Sequence, residues 1–547
     1  MAWAALRFDS AQAFRRFLKI GKRKMHFRQR PSLRLPAEAC IDMEELMKSQ
    51  KIFTSAVAGL MLLVCSFATA EEQFKPVMRG EVDHSVSRPL REYSPLVRPE
   101  LGSRIAPTVS GELSFAGQSA AKGILYSDAS GAVGLTQYVQ LVNDQYTVYD
   151  KTTGAVIAGP VAENALWSTF GSSCQTAVGG DGTVTYDQLA NVWVLQHHAV
   201  PTGGPYLNCV AVSTSSDATG SYYLYGFALT MQYPDKPRLG VWPDAYYISQ
   251  DLLDPTSKTF IRSQACALNR TAMLAGTFAL TVCFQGSISL PTFVVTTLDG
   301  QTLPPTGEPA FFWQLDQRPS VGRNNLNSFQ FHVDFTNINN DTFTGPVANA
   351  LPAYTDACNN FKPCIPQPNT TNLLQGWGDR LNGRVVYRNF GTYESVVMTH
   401  AVTRGTGTAA HAAIRWYEYR TPLTPVIFQS GTIAPDNTYR WNGGIAEDQF
   451  GDIAVGYNVS SSTVNPGISY SGHASTDRTG FMETEISAVV GGGAQTGTNH
   501  NWSSFSSMTV DPVDDCTFYY TTQYYATSSQ SGWKTQINSF RFPSCTN

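Results

Sequence analysis

Charge is scarce in this chain. Of 547 residues only 15% are Asp, Glu, Lys or Arg, against ~25% in an average globular domain. The basic residues crowd at the start. Residues 1–70 hold 12 Lys and Arg against 5 Asp and Glu, so subtraction from the totals of 38 and 42 leaves 26 against 37 for residues 71–547, a net charge near −11. A chain of that sign lacks the basic face that neutralises phosphates, which excludes a general nucleic-acid binder. Long apolar runs are missing too: Val57 to Phe67 is far short of the ~20 residues of a membrane span. Helical periodicity is weak, with one candidate turn at Thr371 to Gly383. There is no Gly-x-Ser-x-Gly, no His-Glu-x-x-His and no P-loop. "GTGTAA" (Gly405 to Ala410) matches a loose nucleotide pattern, but between strands rather than at a strand-to-helix turn. Neither Cys-x-x-Cys nor a Cys/His zinc spacing occurs. His197 and His198 alternate faces on a strand and cannot chelate one ion. No metal ligand set is expected.

What is present begins with an export signal. Lys48 and Lys51 form a positive n-region, Val57 to Phe67 an apolar core, and Ala68 to Ala70 a small-residue cleavage site. Residues 47–70 therefore read as a signal peptide, and residues 1–46 as an over-extended or disordered leader. Residues 71–120, interrupted by proline and charge, read as a linker or N-terminal strap. The mature chain is expected to be secreted, periplasmic or extracellular, and monomeric. Eight cysteines remain beyond the leader, an even number that suits disulfides in an oxidising compartment. Nearest-neighbour pairing is one hypothesis among many: Cys174 with Cys209, Cys266 with Cys283, Cys358 with Cys364, and Cys516 with Cys545.

From residue 121 to 547 the text is nearly all β. Runs of four to nine residues rich in Tyr, Phe, Val and Thr are separated by Gly, Asp, Asn and Pro. They group in fours, as in "TVTYD", "VWVLQHH", "LNCVAVSTS" and "YYLYGFAL" between Thr183 and Leu229. First-strand starts near residues 183, 242, 384, 441 and 502 recur at about 60 residues wherever neighbours are clear. Four strands in that period imply a β-propeller, seven-bladed by this spacing with eight as the alternative. Trp242, Trp441 and Trp502 are each expected at the start of a first strand.

Two polar knots carry a resemblance. "VSTSSDATGSYYLYG" (Val212 to Gly226) and "HASTDRTGFMETE" (His473 to Glu485) both write Ser-Ser/Thr-Asp-x-Thr-Gly between a third and a fourth strand. There the aspartate accepts its own turn's amides and the glycine is expected in the left-handed conformation. This resembles the Asp-box of sialidase-like propellers, with one extra residue before Gly220 and Gly480. The resemblance implies fold, since the box is structural in that family. The stretches "GVWPDAYY", "RWYE", "RWNGGIAED" and "DDCTFYYTTQYY" are similar to a group of secreted bacterial propellers, which implies fold and export but no reaction. The Arg-Ile-Pro start of sialidases is matched by "SRIAPT" (Ser103 to Thr108) only with Ala106 inserted.

In a propeller, ligands meet the loops that lead into the first strands. Those loops gather Lys236, Arg238, Trp242, Asp244, Arg440, Trp441, His500 and Trp502. Tryptophan faces beside Arg, Asp and His suit a sugar, so Trp242, Trp441, Trp502, Arg238 and Lys236 are candidate substrate-binding residues. His500, Tyr246, Asp244 and Arg440 are candidate catalytic residues, as acid, base and charge-neutralising group for hydrolysis or elimination. The expected function is recognition, with possible cleavage, of an extracellular polysaccharide or glycan. The alternative is a non-catalytic adhesion or scaffold propeller that binds protein. No cofactor is expected, although the acidic turns with Asp181, Asp187, Asp511, Asp514 and Asp515 are candidates for structural calcium. Arg415 and Glu418 lie on opposite faces of a strand, whereas Glu418 and Arg420 share one and invite an ion pair.

Overall fold

The computed structural model describes residues 74–96 and 113–545, apart from residues 122, 204, 230, 287–291, 317–324 and 360–361. The expected leader, signal peptide and "SRIAPT" stretch lie outside these residues. Alternating β-branched and aromatic side chains, broken by Gly and Asp turns, fold into antiparallel meanders. Among the described residues they make seven four-stranded meanders, here called sheets, two of which are joined by parallel pairing of Thr296–Leu298 with Val385–Tyr387. Their first strands are Ser130–Val133, Thr183–Asp187, Tyr233–Val241, Val294–Leu298, Asn382–Asn389, Tyr439–Glu447 and Ser507–Val510, which number the sheets 1 to 7. Each first strand lies beside the next in this order, and the seventh lies beside the first. The chain is an all-β propeller.

Apolar layers between neighbouring sheets form the core. Trp193 and Leu195 of sheet 2 pack on Val139, Leu141 and Tyr146 of sheet 1. Ile445, Val455 and Tyr457 of sheet 6 pack on Val386, Val397 and Trp416 of sheet 5. Sheets 7 and 1 meet through Tyr519, Ile537, Tyr138 and Tyr149. Each sheet thus buries both faces, which explains the nearly continuous apolar runs along the inner strands.

The ring is closed by a strand from the beginning of the described chain. Ser114–Ser119 pairs with Lys534–Phe540 and supplies the fourth strand of sheet 7, with Phe115 opposite Ile537. The sheet region therefore starts before the expected boundary at residue 121; "SFAGQS" is too short and too polar to announce a strand by periodicity. Part of the expected strap is also β-structure. Val77–Gly80 adds a fifth strand to sheet 3 and Asp83–Val86 a fifth strand to sheet 2. Both cover outer edges that would otherwise expose unpaired amides.

All four cysteine pairs are bonded as nearest neighbours: Cys174–Cys209, Cys266–Cys283, Cys358–Cys364 and Cys516–Cys545. Cys266 and Cys283 sit opposite each other on the third and fourth strands of sheet 3. The two Ser-Ser/Thr-Asp-x-Thr-Gly turns lie between third and fourth strands, of sheets 2 and 6. The Asp217 carboxylate accepts the Thr219 amide at 2.9 Å and its hydroxyl at 2.8 Å; Asp477 accepts the Ala474 amide at 3.0 Å. Gly480 has φ 76°, but Gly220 does not enter the left-handed region. The stretch Thr371 to Gly383 forms turns and the start of a strand, with no helix.

A chain that begins at residue 121 lacks the strand that closes sheet 7. It is expected to lose cooperative thermal unfolding, whereas a chain that begins at residue 74 keeps it. Melting followed by circular dichroism compares the two, and equal, sharp transitions would contradict this closure.

Candidate active site

Each first strand starts at what we term the upper end of the ring and finishes at the lower end, where a turn leads to the second strand. At the upper end, several sheets deliver polar side chains to one mouth. Asp128 precedes the first strand of sheet 1 and Asp181 that of sheet 2. Asp235, Lys236 and Arg238 belong to the first strand of sheet 3, Asp379 and Arg380 precede that of sheet 5, and Ser504 and Phe505 precede that of sheet 7. The ladder of sheet 3 shifts register between Asp235 and Arg238, a bulge that turns Asp235 and Lys236 out of the pleat. Asp128, Asp181 and Lys236 have φ of 42°, 56° and 50°. Aspartate tolerates that region, but for lysine it costs about 1–2 kcal/mol. Such strain gathers at functional sites.

Hydrogen bonds tie the mouth together. Asn143 donates from Nδ2 to Asp128 Oδ2 at 2.9 Å and accepts the Asp181 amide on Oδ1 at 3.0 Å. Asp128 Oδ1 accepts the Ser504 amide at 2.7 Å and hydroxyl at 2.9 Å. The Asp181 and Asp128 carboxyls are within hydrogen-bonding reach of each other. Lys236 forms an ion pair with Asp235, and Arg380 with Asp379 at 2.6 Å. Both cations also approach the Trp377 ring, at 5.6 and 5.2 Å from its centre. Opposite Asp235 on the second strand of sheet 3, Asp251 accepts the Thr292 hydroxyl at 2.7 Å and the Ser263 hydroxyl at 2.9 Å.

Two of the acids at this mouth titrate in opposite senses. Burial, with the charges of Asp128 and Asp235 added, lifts the Asp181 carboxyl well above the usual range. Burial would also raise Asp235, but the Lys236 ammonium outweighs it and holds Asp235 below the usual range. Both residues keep part of their surface open to solvent. A protonated acid beside an ionised carboxylate, in one accessible place, is the pairing that acid–base chemistry needs. Tyr126, also partly exposed, is raised by burial and by Asp128, Asp181 and Asp235. His198 lies deeper, its Nε2 2.9 Å from Gln250 Oε1, and burial lowers it to about 4.

The residues singled out from the sequence separate into three places. Lys236 and Arg238 reach the mouth or the channel beneath it. Tyr246 and Asp244 lie at the lower end, because Val241 at the foot of the first strand pairs with Tyr246. The Tyr246 hydroxyl donates to Asp187 at 2.8 Å, and Asp244 accepts Tyr247 at 3.1 Å. Arg440 and His500 are at the upper end, each with other partners. Arg440 is 1% exposed and held by Glu485 at 2.6 Å and Asp436 at 2.9 Å. His500 is exposed, with Nδ1 2.9 Å from the Leu373 carbonyl. The proposed grouping of His500, Tyr246, Asp244 and Arg440 is therefore not assembled. Trp441 stands near the start of its first strand, Tyr439–Glu447, whereas Trp502 precedes its strand; none of the three tryptophans presents a face to a ligand. Trp242 follows the end of its strand, and Trp242, Trp441 and Trp502 are 1%, 0% and 0% exposed. Trp441 packs edge-on to Trp502 at 5.6 Å, and the Trp502 indole donates to Asn458. They wedge sheets together.

The lower end is built differently, from closed ion pairs. Asp187 is gripped by Arg270 at 2.7 Å, Asp511 by Lys151 at 2.7 Å, Asp515 by Arg388 at 2.6 Å and Asp299 by Arg384 at 2.6 Å. Asp514 accepts the amides of Cys516 and Thr517 in its own turn. These partners use the oxygens that calcium would require, and among the described residues no group of three His, Cys, Asp or Glu side chains is arranged to hold a metal. Arg420 Nε donates to Glu418 at 2.7 Å, the pair its strand spacing implied. No helix among the described residues is long and apolar enough to cross a membrane.

No protein-family model and no curated protein matches the sequence. Solved structures with similar folds include an α-L-arabinofuranosidase from Fusarium graminearum, at 10% identity and TM-score 0.34 over 64% of this chain and 89% of that one. A Trypanosoma rangeli sialidase aligns at 8% identity and TM-score 0.31 over 79% of this chain and 60% of its own. A WD40 domain of SCAP from fission yeast aligns at 9% and 0.33, over 78% and 98%. At such scores none of them carries an argument about chemistry here. The fold rests on the chain's own ladders.

Several lower-end carboxyls have raised values: Glu308 to about 8, by burial and contact with Glu394; Glu447 to about 8, by burial and Glu418; and Asp448 to about 7, by burial and Asp452. Each holds its proton more tightly when folded than when unfolded. The stability they give is complete below pH ~4.5 and lost as pH rises toward 8. The melting temperature is expected to fall between pH 5 and 9, and the variant Glu308→Gln with Glu447→Gln to flatten that slope. An unchanged slope in the double variant would refute the assignment.

Proposed function

We propose that the protein works outside the cytoplasm, binds a glycan at the upper mouth and hydrolyses a glycosidic bond there. The observation that carries this reading is the pair of partly exposed acidic residues, Asp181 and Asp235, whose carboxyls are pushed in opposite directions by their surroundings. Asp181 gives its proton to the leaving oxygen. Asp235, kept ionised by Lys236, acts from the other side of the bond, as a base for water or as a nucleophile; the separation of the carboxyls in the bound state decides which. Asp128 supports the acid, because a carboxylate within hydrogen-bonding reach resists a second negative charge on Asp181. Asn143 fixes both by bonding to each. Tyr126 offers the partly exposed aromatic edge at the rim, next to the Asn501 amide.

Elimination from a uronate has less support. It needs a base with a neutralising cation, and Tyr246 is buried on Asp187 and Arg270 at the end of the ring opposite His500. The four disulfides fit an oxidising compartment, and extracellular glycan is the partner such a mouth would meet.

A panel of polysaccharides assayed for new reducing ends tests the reading. Asp181→Asn keeps the left-handed backbone comfortable, so it is expected to melt with the parent while kcat falls by about 10²–10⁴. The parent pH profile should be bell-shaped, its acid limb below the ordinary carboxylate range and its alkaline limb above it. Glycan binding without new reducing ends would overturn hydrolysis and leave recognition alone. Absence of both would favour the protein-binding alternative.

A further inference from the structure

Beneath the mouth the channel narrows to a cavity of about 40 Å³, room for one or two occupants of water size. Its walls come from first strands: Ser130 of sheet 1, Thr183 and Thr185 of sheet 2, Arg238 of sheet 3, Arg384 of sheet 5 and Ser507 of sheet 7. The two guanidinium groups differ in one respect. Arg384 is neutralised by both oxygens of Asp299, at 2.6 and 3.2 Å. Arg238 has no carboxylate at ion-pair distance among the described residues. Its Nη1 donates to the Pro237 carbonyl at 3.1 Å, its Nε is buried without an acceptor, and its plane lies 3.8 Å from the Phe505 ring centre. The residue is only 7% exposed.

A guanidinium does not shed its proton to escape burial as a lysine or carboxylate would. Burial and the nearby Arg380 lower Arg238 only to about 10, partly offset by the fields of Asp181, Asp128 and Asp251, none of them in contact with it, so the charge persists at any physiological pH. A buried charge without a partner is strongly unfavourable. The adjoining cavity offers a further donor, because Ser130 Oγ accepts the Val184 amide at 3.1 Å and leaves its own hydrogen free. We infer that the channel binds a small inorganic anion of halide size against Arg238 and Ser130. The ion supplies at contact distance the counter-charge that Asp181, Asp128 and Asp251 exert only from farther away. The site stands apart from the glycan reading, since its ligand lies inside the ring rather than at the rim.

Diffraction from crystals soaked in bromide tests this directly. An anomalous peak in the channel within hydrogen-bonding range of Arg238 Nε is expected; water or empty density there at saturating bromide overturns the proposal. In solution, the melting temperature should rise by roughly 2 °C when potassium gluconate is replaced by bromide at equal ionic strength, for a site about tenfold saturated. Arg238→Met should remove that difference. An equal halide effect in the variant would count against the site, and if the variant does not fold, the bromide map of the parent protein decides. Neither readout depends on glycan hydrolysis.

Discussion

Ring closure is the constraint from which the rest follows. A four-stranded sheet with two apolar faces has no stable existence in water, and each of the seven finds cover only between two neighbours. That cover fails if any single gap opens. The last gap is closed by pairing Ser114–Ser119 with Lys534–Phe540, so segments more than four hundred residues apart must meet before the cycle of burial is complete. The side chains there are chosen accordingly. Phe115 packs with Tyr138, Tyr149, Tyr519 and Ile537, making the seam as apolar as any other layer.

Closure also creates the site. Seven first strands side by side bring their upper ends to one mouth, so residues far apart in sequence, Asp128, Asp181, Asp235 and Arg380, become neighbours without any of them sharing a motif. The two ends then divide their roles. Lower-end aspartates spend their oxygens on Arg270, Lys151, Arg388 and Arg384, an arrangement that locks the short turns. At the upper end the Asp181 carboxyl has other carboxyls for neighbours and keeps its proton. Glu308, Glu447 and Asp448 are crowded in the same way at the lower end but are buried there; what gives the upper mouth chemical capacity is that its raised acid belongs to a partly exposed residue.

The repeat was legible because it is written in local chemistry. Thr183–Asp187 through Tyr222–Ala228 alternate and break where strands and turns demand, and the neighbouring cysteines fall where strands pair. Closure was not legible, since pairing of Ser114–Ser119 with sheet 7 is a fact about ring geometry rather than about "SFAGQS". The mouth was half legible for the same reason. Lys236 and Arg238 stood out as charges near a first strand, and Asp181 as an acid in a glycine turn. Asp128 and Arg380 gave no signal, because what distinguishes them is the company the ring supplies. Aromatic residues misled in the opposite direction. Trp242, Trp441 and Trp502 sit near first strands, but an indole there is as useful to a wedge between sheets as to a sugar, and local sequence does not separate the two.

Arg238 shows how far such reasoning extends once coordinates replace sequence. On a strand that alternates toward the channel, an arginine reads as a ligand-facing cation. In the ring it lies below the acids, flat on Phe505, with its charge committed neither to Asp181 nor to Asp251. Moving it into contact with Asp181 would ionise that acid and remove the proton donor. Leaving it bare would cost stability to the whole channel. A counter-ion within the cavity resolves both demands: the guanidinium is neutralised from beneath, and the carboxyl above it keeps its proton.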